Sequence, residues 1–227
     1  MGGKVDGRQA KDALYEQFAR VGKAVAHPKR IELLELLSQG ERSVESLAAG
    51  TGMAVANTSA QLQVLRRARL VEGRKDGTRV LYRAASDDVP RFVVALREVA
   101  RARLAEVNDV VRDYFDARDD LEPVSRAELL DRVRRNQVAL IDVRPADEYA
   151  QGHIPGAVSV PLGELDRHMR SLRKRTEVVA YCRGPYCVLA PEAVARLRAR
   201  GFRARRLADG MPEWRLAGLP VAAGDDP

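Results

Sequence analysis

The stretch Val178-Val179-Ala180-Tyr181-Cys182-Arg183-Gly184-Pro185-Tyr186-Cys187-Val188 decides how the half of the chain around it folds. Four residues suited to a buried strand end at Cys182, Gly184 and Pro185 make a short loop, and residues 188–201 carry a helical pattern. A cysteine on such a strand-to-helix turn faces backbone N–H groups that have no helical partner, at the end of the helix dipole that favours negative charge. That setting lowers a thiol pKa and favours the thiolate, the reactive form of sulfur. The other reading of a free cysteine is a small buried hydrophobe. Here strand, glycine-bearing loop and helix start agree, and both cysteines of the chain lie at the ends of this one loop, which favours chemistry.

Outward from the loop, Val138-Ala139-Leu140-Ile141-Asp142-Val143 is a continuous apolar run with an acid near its end, as expected of a buried parallel strand. Val158-Ser159-Val160 and Ala204 to Leu207 are further short strands. Helical segments alternate with them at residues 145–150, 163–172, 191–200 and 211–217, and Ser125 caps a helix over 126–136. Such alternation predicts an α/β fold with a central parallel sheet and ligand chemistry at the carboxyl ends of its strands, where Cys182 sits.

Two segments frame the cysteine: Asp142-Val143-Arg144-Pro145-Ala146-Asp147-Glu148-Tyr149-Ala150-Gln151-Gly152-His153-Ile154-Pro155-Gly156-Ala157 and Leu207-Ala208-Asp209-Gly210-Met211-Pro212-Glu213-Trp214-Arg215-Leu216-Ala217-Gly218-Leu219-Pro220-Val221. With Cys182 between them, residues 122–225 closely resemble a rhodanese domain. The resemblance implies that Cys182 carries a persulfide and exchanges sulfane sulfur with an acceptor. It also implies a substrate-binding loop, Cys182, Arg183, Gly184, Pro185, Tyr186 and Cys187, whose backbone N–H groups wrap the sulfur. Gly184 permits the unusual backbone angles and Pro185 stiffens the loop. Arg183 places positive charge near a thiolate, persulfide or bound thiosulfate. Phosphatase chemistry needs a longer loop closed by arginine, and Val188 stands after Cys187. Cys187 departs from common rhodaneses. It reads either as a resolving thiol, as in a redox sensor, or as a buried residue at a helix start. Asp142, Arg144 and Glu148 are expected to hold the fold by buried pairing, and His153 to be structural.

The first half reads differently. Residues 9–25 are helical in pattern, His27-Pro28 breaks them, and residues 28–38 form a second helix ended by Gly40. Ser43 caps a short helix over 44–49, Gly50-Thr51-Gly52 turns, and residues 54–68 form the next helix. Two helices joined by a glycine-bearing turn are the sequence form of a helix-turn-helix, the second lying in the DNA major groove. Asn57, Thr58, Ser59, Gln61 and Gln63 are the short polar side chains available there to read base edges. Residues 70–83 read as a hairpin turning at Asp76-Gly77, with Arg74, Lys75 and Arg79 about its tip as a basic wing for phosphates. A long helix follows from Asp87-Asp88 to about Phe115. Its apolar stripe (Val89, Val93, Leu96, Ala100, Leu104, Val107, Val111 and Tyr114) is expected to be a dimer seam with the first helix.

Asn57-Thr58-Ser59-Ala60-Gln61-Leu62-Gln63-Val64-Leu65-Arg66-Arg67-Ala68-Arg69-Leu70-Val71-Glu72 and the wing with Gly77 make residues 8–118 similar to an ArsR-type winged-helix repressor. Relatives that sense metals use cysteines on the helix before the turn, or histidines and acids on the last helix. Ser43-Val44-Glu45-Ser46-Leu47 has no thiol and residues 89–115 no histidine, so no metal and no cofactor is expected. Residues 116–123, charged and ending in Pro123, read as the linker.

The totals agree with two domains, a mainly-α winged helix-turn-helix followed by an α/β rhodanese-like domain. The chain has 227 residues, 45% hydrophobic and only 5% aromatic, so aliphatic side chains build the cores. Lys and Arg number 39 against 32 Asp and Glu, a net charge of +7 that suits either a polyanionic partner or a solvated arginine-rich surface. Met1-Gly2-Gly3-Lys4-Val5-Asp6 lacks the apolar core of a signal peptide and no run is long enough to cross a bilayer, so a cytoplasmic protein with reduced thiols is expected. The expected function is a homodimeric repressor of operator DNA that senses polysulfide, thiosulfate or a low-molecular-weight persulfide through Cys182, with a Cys182–Cys187 polysulfide or disulfide. A sulfurtransferase tethered to a DNA-binding domain, or a sensor of oxidants or arsenicals using the same thiols, are the open alternatives.

Overall fold

The computed structural model describes residues 6–116 and 122–224. It divides into two compact units, Met1–Val93 and Val94–Pro227. Most of the expected linker, residues 117–121, lies outside the described residues.

The first unit contains α1 (Gly7–Val25), α2 (Pro28–Leu37), β1 (Arg42–Ser43), α3 (Val44–Thr51), α4 (Val55–Arg67), β2 (Val71–Asp76), β3 (Arg79–Ala84) and the first turns of α5 (Asp88–Arg103). Local chemistry sets the boundaries. The His27 ring accepts the Lys29 N–H at 3.2 Å and Pro28 occupies the first turn of α2. Ser43 Oγ accepts the Ser46 N–H at 3.2 Å, and Gly52 closes α3 in the left-handed region at φ 66°. The hairpin pairs Asp76 with Arg79 and turns through Gly77 at φ 59°. β1, too short to be read from the sequence, pairs Arg42 with Tyr82, giving the antiparallel order β1-β3-β2. Leu33, Leu34, Leu47, Leu62, Leu65, Tyr82, Val89 and Val93 form the core. Leu14, Tyr15 and Phe18 on α1 are each more than half exposed.

The second unit begins within α5. The continuous helix expected to Phe115 is broken: Leu104 is extended (φ −109°, ψ 110°), α6 (Ala105–Val110) restarts, and Val111–Asp116 make a π-helical turn. No glycine or proline marks this break. The Asn108 amide donates to the Arg101 carbonyl at 3.3 Å and so takes up an acceptor that the ending helix leaves free. Then follow α7 (Arg126–Arg134), β4 (Val138–Asp142), α8 (Ala146–Ala150), β5 (Val158–Ser159), α9 (Leu165–His168), β6 (Glu177–Tyr181), α10 (Leu189–Ala199), β7 (Ala204–Arg206) and α11 (Met211–Leu216). The four strands are parallel, in the order β5-β4-β6-β7. Side chains alternate across the sheet. Ile141, Val178 and Ala180 pack on one face with Ala193, Val194 and Leu197 of α10. Leu140, Val179 and Tyr181 pack on the other with Leu129, Met211 and Trp214. No described helix is long and apolar enough to cross a membrane.

Candidate functional site

The sulfur loop leaves the carboxyl end of β6 and returns into α10. Cys182 continues the alternation of Val178 and Ala180, so its side chain enters the same core and is only 3% exposed. Its sulfur lies 3.8 Å from the Gly184 carbonyl oxygen and 3.7 Å from that of Cys187. The loop folds back on itself through the Cys187 N–H, which donates to the Gly184 carbonyl at 3.1 Å. Backbone N–H groups of Ala190 and Gly184 face the Cys182 sulfur, and those of Leu189 and Arg183 face Cys187. Leu189 and Ala190 open α10, so these are the partnerless donors of a helix start.

The surroundings shift the two thiols in opposite directions. Burial, then the neighbouring Cys187 sulfur, pushes the Cys182 thiol well above its ordinary value. The Cys182 thiol donates to Cys187, and this bond, outweighing burial, holds Cys187 below it. Negative charge therefore rests first on Cys187, whereas the sequence placed it on Cys182. The reason is tertiary: a strand-end side chain pointing into a core loses more hydration than one on the returning arm of the loop.

Arg183 lies near the thiols, as expected, and has a carboxylate partner besides. Its guanidinium is clamped on buried Glu148, at 3.0 Å from Nε and 2.6 Å from Nη2 to Oε1. Its charge is thus largely matched by a carboxylate and acts on Cys187 only as a minor influence. Asp142 and Arg144, both fully buried, pair at 2.5 Å, and Arg144 donates to the Gly152 carbonyl at 2.8 Å. His153 stacks on Tyr149 at 3.7 Å and joins Ala222 in a β-bridge. Asp142, Arg144 and Glu148 are thus in buried pairs, the arrangement expected of them, and His153 is buried as well. Tyr186 meets Phe115 edge to face at 6.2 Å. Beside them an open apolar pocket of about 600 Å³ is lined by Val107, Val110, Val111, Tyr114, Phe115 and Val188, with Glu106.

On the first unit, α4 presents a narrower reading face than its sequence suggested. Asn57 is exposed and Ser59 and Gln61 are half-buried. Gln61 donates to the Asn57 side-chain oxygen at 3.2 Å and accepts from Arg30 at 2.9 Å. Thr58 is fully buried and its hydroxyl bonds the Ala54 carbonyl at 3.1 Å, so it packs the helix instead of reaching a base. Gln63 donates to the Tyr82 hydroxyl at 3.0 Å and ties α4 to the wing. The sequence pattern places Val55 inward with Leu62 and Leu65; those two leucines are buried, but Val55 stands at the front of α4 and is 48% exposed, because the first turn of the helix projects beyond the core. On the wing, Arg74 is held by Glu41 at 2.5 Å. Lys75 and Arg79 are exposed and make no ion pair among the described residues.

Comparison with known proteins matches both halves. Residues 27–73 match the arsR family of bacterial regulatory proteins, and residues 125–217 match the rhodanese-like domain. The HTH-type transcriptional regulator Rv0324 of Mycobacterium tuberculosis is 49% identical over 94% of this chain and 94% of its own length. A sulfurtransferase of Allochromatium vinosum is 36% identical over 38% of this chain and 79% of its own. The solution structure of a homodimeric winged helix-turn-helix DNA-binding domain from Mycobacterium bovis is 47% identical, covering 46% of this chain and 94% of that one, with a TM-score of 0.41. The chain belongs to the ArsR family of bacterial regulatory proteins and carries a C-terminal rhodanese-like domain.

Proposed function

We propose that this chain is a homodimeric, DNA-binding repressor whose rhodanese-like domain senses reactive sulfur through persulfidation of Cys182. The observation that carries this is the placing of two thiols on one strand-to-helix loop, in a chain that also holds a winged helix-turn-helix. Cys182 attacks the outer sulfur of a persulfide, RSSH, and hands its proton to the Cys187 thiolate. The S–S bond of the donor breaks and RS⁻ leaves. Cys187 then attacks the Cys182 sulfur, expels the added sulfur as hydrogen sulfide and closes a disulfide, with the donor as the oxidant. If a second donor persulfidates Cys187 first, the two persulfides condense to a trisulfide with loss of hydrogen sulfide.

On the DNA side, Asn57, Ser59 and Gln61 face base edges, while Lys75 and Arg79 contact phosphates, with Arg74 joining if it leaves Glu41. The exposed apolar side chains of α1, Leu14, Tyr15 and Phe18, supply the dimer seam. Mass spectrometry of the peptide spanning Cys182 and Cys187 after mild polysulfide tests the sulfur chemistry. The expected product gains whole sulfur atoms or loses two hydrogens; an unmodified peptide refutes it. A sulfurtransferase is the second reading, favoured by the likeness to the Allochromatium vinosum protein. Rapid multiple turnover of thiosulfate with cyanide or a thiol would favour it, whereas one stable modification favours the sensor.

A further inference from the structure

The sulfur loop rests on more than its own strand and helix. Gly210, just before α11, packs backbone to backbone against it: a methyl group there would stand within 2.5 Å of the Arg183 carbonyl oxygen and closer still to the Gly184 nitrogen. With no flexible side chain between the two turns, a shift of one displaces the other. Gly210 is itself held, because its N–H donates to Glu213 Oε2 at 3.1 Å in a buried setting. Glu213 Oε1 in turn takes the guanidinium of Arg97, the two side chains being 14% (Arg97) and 10% (Glu213) exposed. Arg126 holds the same turn, donating to the Glu213 carbonyl at 3.1 Å and pairing with Asp209 at 2.8 Å. Arg97 belongs to α5, the helix whose first two turns place Val89 and Val93 in the core of the winged unit.

We propose that Arg97 is a positioning residue for the sulfur loop, acting through Glu213 and Gly210, and that this chain of contacts carries a change of loop shape to α5. The second clause rests on the sulfur-sensing reading above; the first does not. Removing the guanidinium leaves a nearly buried carboxylate without its cation. Glu213 then turns toward water, which deprives the Gly210 N–H of its charged acceptor. Lysine keeps the charge but not the planar guanidinium, so it restores the contact in part.

Hydrogen exchange on the full-length chain tests this in the wild type, Arg97→Ala and Arg97→Lys, with the β4 and β6 amides as internal standard. Arg97→Ala is expected to speed exchange of amides 183–190, proline excepted, roughly tenfold, the equivalent of one charged hydrogen bond. Arg97→Lys should fall between. The pH profile of Cys187 alkylation should move upward in Arg97→Ala and part of the way back in Arg97→Lys. Loop amides that exchange as in the wild type overturn the proposal, as does an equal acceleration of the β4 and β6 amides, which marks general loss of stability. If the loop responds to Arg97 while polysulfide leaves wild-type sulfurs unmodified, the positioning role stands and the sensing function falls.

Discussion

Gly210→Ala puts the packing of the sulfur loop to a quantitative test. The backbone of Gly210 is extended, with φ −129° and ψ −168°, a conformation open to any residue. Alanine therefore strains no dihedral there. By restricting the unfolded chain it would on its own stabilise by about 0.4–1 kcal/mol. Against this stands the new methyl, which meets the Arg183 carbonyl and the Gly184 nitrogen, backbone atoms that cannot swing aside as a side chain can. Overpacking of this kind costs about 1–3 kcal/mol. The net expectation is a loss of about 1–2 kcal/mol, a fall in Tm on the order of 3–8 °C for a unit of this size. Trp214 is the only tryptophan of the chain and is buried in the rhodanese-like core, so its fluorescence follows this unit alone. A thermal melt of the full-length protein at Trp214 is thus the assay. A Gly210→Ala protein that melts at or above the wild-type temperature would refute the claim that the turn and the loop are in rigid contact.

Three further expectations follow from the same geometry. Cys182→Ala removes the thiol that donates to Cys187 while leaving the burial that opposes its charge, so the Cys187 pKa should rise; iodoacetamide labelling against pH should shift to higher pH, and an unmoved profile contradicts the hydrogen bond between the thiols. Asp142→Asn removes the charge of the carboxylate that buried Arg144 pairs with, at a cost of about 3–5 kcal/mol measured by urea unfolding. Lys75→Ala and Arg79→Ala should weaken binding alike across DNA sequences and each lower the slope of log affinity against log salt by about one; a change of sequence preference instead would place them at base edges.

Much of this was legible in the chain itself because the signals are local. Asp76-Gly77 marks the hairpin turn, Ser43 and Ser125 cap helices, and the loop from Cys182 to Cys187 announces a strand-to-helix turn. What stayed hidden depends on partners far away in sequence. Arg183 looks like a free cation until Glu148, 35 residues earlier, is brought beside it. Thr58 looks like a reader until the phase of α4 turns it inward. The preference of charge for Cys187 follows from the burial of Cys182, and that burial was readable in principle: Val178, Ala180 and Cys182 alternate with Val179 and Tyr181, and the even-numbered positions all enter one core. The break at Leu104 carries no glycine or proline, and the Asn108 side chain that takes the Arg101 carbonyl there gives no signal in the sequence.

The central claim is that one loop's sulfur chemistry changes how the same chain holds DNA. Fluorescence anisotropy measures it directly, on an operator selected from random duplexes, with the reduced protein, the polysulfide-treated protein and Cys182→Ser. Polysulfide should change the operator affinity of the wild type by tenfold or more, on the order of 1.4 kcal/mol of differential binding, and leave Cys182→Ser unmoved. Identical wild-type binding curves before and after treatment, with the cysteines shown to be modified, would contradict it.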